Sequence, residues 1–270
     1  MKLDIFQVDA FTSKPFGGNP AAVVPLGEWL PDETMLQIAA ENNLSETAFF
    51  VKNGEQYDIR WFTPKVEVNL CGHATLASAY VIFECLKLES ESIKFQSHRS
   101  GSLGVTRKDG KIVLDFPAFP INEIAPVPAL AAAEFPPIRY WETRNSGLLL
   151  LLESQKVVTQ LRPDMQLLLE LPYDKTIITA RGDDCDFASR MFAPKIGIDE
   201  DPVTGAAHCS LIPYWAKELG KTELFARQVS ARGGELFCEL RGDRVKIGGQ
   251  AVLYMKGEIF VGTESSAAAV

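Results

Sequence analysis

Cysteine and histidine are scarce in this chain of 270 residues, which has five of the former and three of the latter. The cysteine count is odd and no Cys-x-x-Cys pair occurs, which argues against a disulfide scaffold and favours a reducing compartment. Cys71 and His73 lie close in sequence, as do His208 and Cys209, but their spacing matches no common zinc pattern. We therefore expect no metal site.

Positive charge is also in short supply, because 27 lysines and arginines stand against 35 acidic residues and give a net charge of −8. Binding to nucleic acid or to an anionic membrane needs clustered basic residues, so both partners are disfavoured. The longest apolar run, at about 74–83, falls well short of the roughly 20 residues of a membrane span. Residues 1–5 show no charged-then-apolar leader, so we expect a cytoplasmic protein with a small-molecule partner.

A long internal repeat is what the chain does contain. The segment Arg-Trp-Phe-Thr-Pro-Lys-Val-Glu-Val at 60–68 returns as Arg-Met-Phe-Ala-Pro-Lys-Ile-Gly-Ile at 190–198. A second, co-linear match relates Gly101, Leu103, Val105 and Ile112 to Gly234, Leu236, Cys238 and Val245. A period near half the chain predicts a duplication into two similar lobes rather than a solenoid, which needs short units repeated at least three times. The natural place for a site is then the cleft between the lobes.

The predicted boundary between the lobes is a proline-rich segment. Six of the 16 prolines lie between Pro117 and Pro137, and proline resists both a continuous helix and a central strand. We therefore predict a first lobe at 1–117, a connector at 118–137 and a second lobe at 138–262. A loose tail is expected at 263–270.

One apolar segment in each half predicts a helix that is enclosed by other structure. Residues 74–87 carry only two charges, and residues 206–219 follow the same pattern, with Pro213 expected to kink the helix or to start it with a separate turn. Apolar runs such as 45–51, 58–62 and 148–152 predict strands. The fold class is therefore α+β, with two strand-rich lobes that each wrap around one buried helix.

Different reactive residues precede these two helices. They are Cys71-Gly72-His73 in the first half and Asp201-Pro202-Val203-Thr204-Gly205-Ala206 in the second. Helix N-termini present unpaired N–H groups and about half a positive charge, and glycine lets a backbone approach a ligand closely. We expect two such termini to bind a small carboxylate. The alternative is that these glycine-bearing turns only start helices.

A series of motifs along the chain resembles the PhzF-type (phenazine-biosynthesis-like) isomerase family. The motifs are Asp9-Ala-Phe-Thr, Phe16-Gly-Gly-Asn19-Pro-Ala-Ala-Val, Ser45-Glu46-Thr-Ala-Phe, Phe62-Thr-Pro with Cys71-Gly-His73-Ala-Thr, Glu200-Asp201-Pro-Val-Thr-Gly and Arg232-Gly-Gly-Glu. The resemblance covers nearly the whole chain in the right order. It implies the diaminopimelate epimerase-like fold, in which two pseudo-symmetric lobes each curl a mixed β-sheet into a barrel around a central helix.

The same resemblance implies an isomerase that moves a proton at carbon without a cofactor and that forms a homodimer. Glu46 matches the family's general acid/base, and His73 and Asp201 match residues that line the family's site. The implied substrate-binding residues are Asn19, Ser45, Cys71, Gly72, Gly205 and Ala206.

Several alternatives stay open at this point. Glu46 could be a solvated carboxylate at a strand end, His73 could be hydrogen-bonded locally, and Asp201 could only cap the second helix. A two-base epimerase or racemase built from Cys71 and Asp201 would be a different chemistry, because diaminopimelate epimerases carry one catalytic cysteine on each lobe. The cleft could also bind a carboxylate or a protein without catalysis, since a fold does not guarantee chemistry.

Overall fold

The strands of the two halves follow one another in a matching order. The structure, a computed structural model, describes residues 1–131, 135–144 and 146–262, so the tail predicted at 263–270 lies outside it. The first eight strands are β1 (Lys2–Ala10), β2 (Asn19–Leu26), β3 (Glu46–Asn53), β4 (Gln56–Phe62), β5 (Glu67–Val68), β6 (Ser92–Ser97), β7 (Gly101–Lys108) and β8 (Lys111–Pro117). The others are β9 (Asn122–Glu123), β10 (Arg139–Thr143), β11 (Gly147–Leu151), β12 (Lys175–Arg181), β13 (Phe187–Ala193), β14 (Ile198–Asp201), β15 (Glu223–Gln228), β16 (Gly234–Arg241), β17 (Arg244–Gly249) and β18 (Ala251–Phe260).

Strand pairing shows the pseudo-symmetry of the two lobes directly. In the first lobe β2 pairs parallel with β3, β3 antiparallel with β4, and β4 parallel with β6, which continues antiparallel through β7 to β8. In the second lobe the same sequence of directions runs from β11 through β12, β13, β15 and β16 to β17. The predicted α+β fold class, with two lobes of mixed sheet around central helices, is confirmed.

The lobes are joined by strands as well as by the chain. β8 pairs antiparallel with β17 from Ile112 to Pro117, and the last strand, β18, pairs along β1 from Lys2 to Ala10. β9 pairs with β10 in the second lobe. The last strand thus pairs with the first lobe, although the predicted boundaries assign it to the second lobe at 138–262. The boundaries 1–117 and 138–262 remain a prediction.

Each lobe encloses one helix. In the first, α2 (Gly72–Tyr80) continues into a π-helical turn at Val81–Cys85, and its residues from 72 to 79 are all buried. It packs against β1, β2, β3 and β8, whereas α6 (Gly205–Leu219) packs against β15, β16 and β17. The other helices are α1 (Asp32–Asn42), α3 (Pro128–Ala131), α4 (Gln155–Gln160) and α5 (Met165–Glu170), with a 3₁₀ turn at Pro194–Ile196. No helix among the described residues is long and apolar enough to cross a membrane.

Pro213 lies inside α6 without dividing it, so the separate turn that was one of the two predicted outcomes does not form, and the predicted kink remains a prediction. Proline has no N–H, so the carbonyl of Cys209, four residues earlier, loses its helical donor. The backbone N–H of Phe119 donates to that carbonyl instead, at 2.8 Å. Phe119, two residues after the end of β8, therefore satisfies the group that Pro213 leaves free, and the helix continues.

The sequence repeat forms a matched pair of ion pairs. Arg60 on β4 donates from Nε and Nη2 to the two carboxylate oxygens of Glu67 at 2.8 and 2.9 Å. Arg190 on β13 does the same to Glu200 at 2.7 and 2.9 Å. Each bidentate pair ties a strand to the segment that leads into the central helix of its lobe. The repeated arginine is thus a scaffold residue.

The pH dependence of stability should reveal the buried His208 on α6. Burial lowers the pKa of this fully buried side chain from 6.5 to about 4. Between pH 6.5 and about pH 4, His208 is therefore protonated in the unfolded protein but neutral in the folded protein. The free energy of unfolding falls as the pH drops through that range. We expect His208→Gln to reduce this loss by about 3 kcal/mol between pH 7 and pH 4, measured by urea unfolding. An equal slope in both proteins would contradict a neutral buried histidine.

Candidate active site

Glu46 is the first residue of β3, and its side chain is only 12% exposed. Its Oε2 lies 3.2 Å from Nε2 of His73, the second residue of α2. Oε2 is buried and has no well-aligned hydrogen-bond donor among the described residues, so the contact with His73 is mainly electrostatic. The Glu46 carboxylate thus points toward α2, and its Oε2 remains available to accept a hydrogen bond.

Asn19 connects the two lobes at this point. Its side chain is fully buried at the start of β2. Nδ2 lies 3.1 Å from Nδ1 of His73, 2.7 Å from Oδ1 of Asp201 and 2.9 Å from the carbonyl oxygen of Val203. An amide nitrogen has two protons, which the oxygens of Asp201 and Val203 can accept. Nδ1 of a protonated His73 is itself a donor, so its contact with Nδ2 is then not a hydrogen bond. Oδ1 of Asn19 is buried and has no partner among the described residues.

Asp201, at the end of β14, faces Asn19 from the second lobe and is 6% exposed. Its Oδ2 accepts from the hydroxyl of Thr204 at 2.5 Å, and Gln228 donates to its backbone carbonyl at 2.8 Å. Burial raises the pKa of the Asp201 carboxyl to about 6, with His73 opposing the shift and Glu46 adding to it. This carboxyl therefore exchanges its proton near neutral pH, which suits an acid or base.

His73 and Cys71 respond in different ways to the same surroundings. Burial alone would lower the pKa of His73, but the sulfur of Cys71 and the carboxylate of Glu46 outweigh it and raise the pKa well above its ordinary value. Burial and Glu46 raise the pKa of the Cys71 thiol to about 11. The thiol is therefore protonated near neutral pH, and Glu46 is the partner that accounts for the charge on His73.

Three side chains here could approach a metal ion, although the sequence predicts none. Ligand atoms of Glu46, Cys71 and His73 lie within 4.8 Å of one another. The sulfur is 3.5 Å from Nδ1 and 4.0 Å from Nε2 of His73. A metal would need the thiolate, and burial raises the pKa of the Cys71 thiol to about 11. Metal binding at these three residues would therefore have to displace the proton of Cys71.

The N-termini of the two central helices touch. A Cβ added at Gly72 would lie 3.2 Å from the Cα of Gly205, and one added at Gly205 would lie 3.3 Å from the Cα of Gly72. Neither terminus has a side-chain cap, since Cys71 and Thr204 at the N-cap positions make no capping hydrogen bond. The glycines thus let the helices approach each other, and no side chain caps the first-turn N–H groups, of which that of Ala207 donates to the Thr204 carbonyl at 3.2 Å.

Five of the expected site residues contact one another, whereas Ser45 and Ala206 lie outside these contacts. Glu46, His73, Asn19, Asp201 and Cys71 form one connected cluster around the helix N-termini. Ser45 is half-buried in the bend before β3 and makes no side-chain hydrogen bond within the described residues, and Ala206 is half-buried in the first turn of α6.

Sequence reasoning missed two residues of the site, Thr204 and Gln228. The first is buried at the N-cap position of α6 beside Asp201, and it belongs to a motif quoted above. Gln228, at the end of β15, accepts from the Thr204 N–H at 2.8 Å and is 1% exposed. No local pattern marks Gln228, because strand pairing alone brings it to the site.

Comparison with known proteins shows which family the chain matches. Residues 8–257 match the family described as phenazine biosynthesis-like protein (PhzC-PhzF). A Pseudomonas aeruginosa protein named an uncharacterized isomerase is 55% identical over 260 residues, which cover 96% of this chain and 99% of that protein. A crystal structure of a PhzF family protein from Enterococcus faecalis has a TM-score of 0.93 at 46% identity and covers 97% of this chain and 100% of its own. A hydroxyproline epimerase from Agrobacterium vitis shares the fold alone, with a TM-score of 0.63 at 11% identity, over 96% of this chain and 92% of its own.

A methyl group at Gly72 should separate the two helix N-termini. The nearest neighbour, the Cα of Gly205, is backbone and cannot swing away, so we expect Gly72→Ala to lower the free energy of unfolding by about 1–3 kcal/mol. Gly104→Ala is the matched control, because its added Cβ would meet its nearest atom at 3.8 Å, an ordinary contact. Urea unfolding of both variants measures the difference, and equal stabilities would show that the helix contact is not tight.

Proposed function

Because the chain belongs to the phenazine biosynthesis-like family, with a relative named an isomerase, we propose that it is a cofactor-independent isomerase that moves a proton at carbon of a small carboxylate. The observation that carries the proposal is the buried chain of contacts from Glu46 through His73 and Asn19 to Asp201. It places two carboxyl groups from opposite lobes around the paired helix N-termini.

Glu46 acts as the general acid/base in this proposal. Its Oε2 is an acceptor without a well-aligned donor among the described residues, and the positive charge of His73 stands 3.2 Å away. Glu46 takes a proton from a carbon of the substrate, the electron pair moves into the adjacent unsaturated system, and the proton is returned to a different carbon. Atoms and charge balance without an external reductant or oxidant.

The substrate's carboxylate binds at the helix N-termini. The uncapped first-turn N–H groups of α2 and α6 supply both hydrogen-bond donors and a positive electrostatic potential. Donors aimed at developing charge contribute about 10²- to 10³-fold in rate. A positioned general base contributes about 10²- to 10⁴-fold, so the two effects together support a useful rate for a carbon acid.

Polar groups on the substrate complete the network. Oδ1 of Asn19 and Oε2 of Glu46 are buried acceptors that lack partners among the described residues. A buried acceptor without a donor costs about 1–3 kcal/mol, which a hydroxyl or amino group on the substrate would recover. Asp201, with its carboxyl pKa raised to about 6 by burial, is the second proton-exchanging group of the site.

A two-base epimerase or racemase that uses Cys71 and Asp201 is the second candidate. Its favourable observation is that Cys71 occupies the N-cap position of α2 beside His73, with its sulfur 3.5 Å from Nδ1. The pKa of about 11 that burial and Glu46 give the thiol opposes it, because the base must be a thiolate. The third candidate is a non-catalytic member of the fold that binds a carboxylate or a protein. The homodimer, the cytoplasmic location and the duplication remain predictions.

Glu46→Gln should abolish most of the proton exchange while the fold survives. We expect a loss of about 10²- to 10⁴-fold, because the amide keeps the shape of the side chain but cannot take up a proton. The measurement is deuterium incorporation at carbon, followed by NMR, in a panel of cyclic and amino carboxylates in D₂O. Glu28→Gln, on the exposed surface, controls for the charge change. Binding without exchange in the wild type would favour the non-catalytic candidate, and full activity of Glu46→Gln would remove the assignment.

Cys71→Ser distinguishes the isomerase from the two-base epimerase. Under the Glu46 scheme the exchange rate should change little, because the Cys71 thiol is protonated and does not act as the base. Under the two-base scheme the rate should fall by about 10²- to 10⁴-fold. The same NMR exchange assay, with a thermal unfolding curve to verify the fold, decides between the two.

A further inference from the structure

The loop before Asn19 is held in a conformation that it would not adopt alone. Phe11 and Phe16 have positive φ angles of 62° and 70°. A left-handed backbone costs a residue with a Cβ roughly 1–2 kcal/mol. Gly18, with φ 62°, has room for no side chain at all, because an added Cβ would lie 2.1 Å from the carbonyl oxygen of Ala10. External contacts must hold this loop in place.

Those contacts come from the second lobe and its junction. The N–H of Gly18 donates to the carbonyl of Gly233 at 2.8 Å, and the N–H of Glu235 donates to the carbonyl of Phe11 at 3.0 Å. Arg232 adds side-chain bonds: its Nε donates to the Gly18 carbonyl and its Nη2 to the Gly17 carbonyl, both at 2.8 Å. The loop is thus shaped by residues more than 200 positions away in sequence.

A buried carboxylate fixes the guanidinium in turn. Nη2 of Arg232 also donates to Oδ1 of Asp9 at 2.8 Å, and Oδ2 of Asp9 accepts from the N–H of Phe16 at 2.9 Å. Asp9 is 2% exposed and the Arg232 side chain 33%, so the carboxylate is shielded from solvent while the arginine reaches the surface. The planar fork of arginine suits several acceptors at once, which a lysine ammonium does not reproduce. Asp9 and Arg232 together close the loop from both sides.

We propose that Arg232 is a positioning residue that sets the place of Asn19 from the second lobe. Gly18, whose carbonyl it holds, directly precedes Asn19, whose Nδ2 contacts both His73 and Asp201. Arg232 therefore governs how these two ionisable groups face each other across the lobes. Its catalytic consequence rests on the proposed function, whereas its effect on His73 does not.

The chain offers a matched control. Arg244 also joins the lobes through an aspartate: its Nε donates to Oδ1 of Asp115 at 2.6 Å and its Nη2 to the Asp115 carbonyl at 2.9 Å. This pair lies where β8 meets β17, and those strands carry none of the cluster residues. Loss of this pair reports the general effect of removing an Arg–Asp contact between lobes.

The test is ¹⁵N NMR of the protein labelled at its three histidines. The double variant Asp9→Asn/Arg232→Gln removes the pair without leaving a buried charge unpaired, and Arg232→Lys keeps the charge but loses the fork. We expect both to shift the ring-nitrogen signals of His73 in the same direction as Asn19→Ala does. The signals of His98 and His208 should stay in place, and Asp115→Asn/Arg244→Gln should leave all three histidines unchanged.

Unchanged His73 signals in the folded Arg232 variants would overturn the proposal. Equal shifts of His73 in the Arg232 and Arg244 variants would overturn it as well, because the effect would then be a general loosening between the lobes. Failure of the proposed function gives a different result: Glu46→Gln would retain full exchange while the His73 shift in the Arg232 variants persists.

Discussion

The contact between the two helix N-termini is the constraint on which the site depends. Gly72 and Gly205 allow it because neither has a Cβ, and a methyl group on either would lie 3.2–3.3 Å from the other's Cα. Each helix brings the residues that flank its first turn, so His73 and Asp201 reach one place from the two lobes. The electropositive ends of both helices point to the same small volume. Asn19 lies between them, in contact with His73 and donating to Asp201.

A symmetric scaffold carries asymmetric chemistry. The bidentate pairs Arg60–Glu67 and Arg190–Glu200 recur in equivalent strands, and the order of strand pairing is the same in both lobes. The residues next to the helix starts differ, with a histidine on one side and an aspartate on the other. The two lobes thus share residues where their strands have the same geometry and differ in the groups that can exchange protons.

Burial acts in opposite ways on two histidines of the central helices. His208 sits in α6 beside Phe187 and the Thr204 carbonyl, so burial lowers its pKa to about 4. His73 is nearly as buried, yet the sulfur of Cys71 and the adjacent Glu46 carboxylate outweigh burial and raise its pKa well above the ordinary value. The difference lies in these acidic neighbours, whose effect is large because little water screens it. A cationic site and a neutral core position can therefore share one architecture.

The sequence by itself determined the fold class, the repeated arginine motif, the two apolar helices and the glycines at their starts, because each is a local pattern of residue types. It also marked Glu46, His73, Asp201 and Asn19, through motifs. Tertiary structure decided the contacts of Asn19 and the position of Gln228 beside Asp201. It also decided the pairing of β18 with β1 and the continuity of α6, in which the N–H of Phe119 donates to the Cys209 carbonyl. These depend on which distant strands pair and which buried polar groups find partners, and no local pattern contains that information.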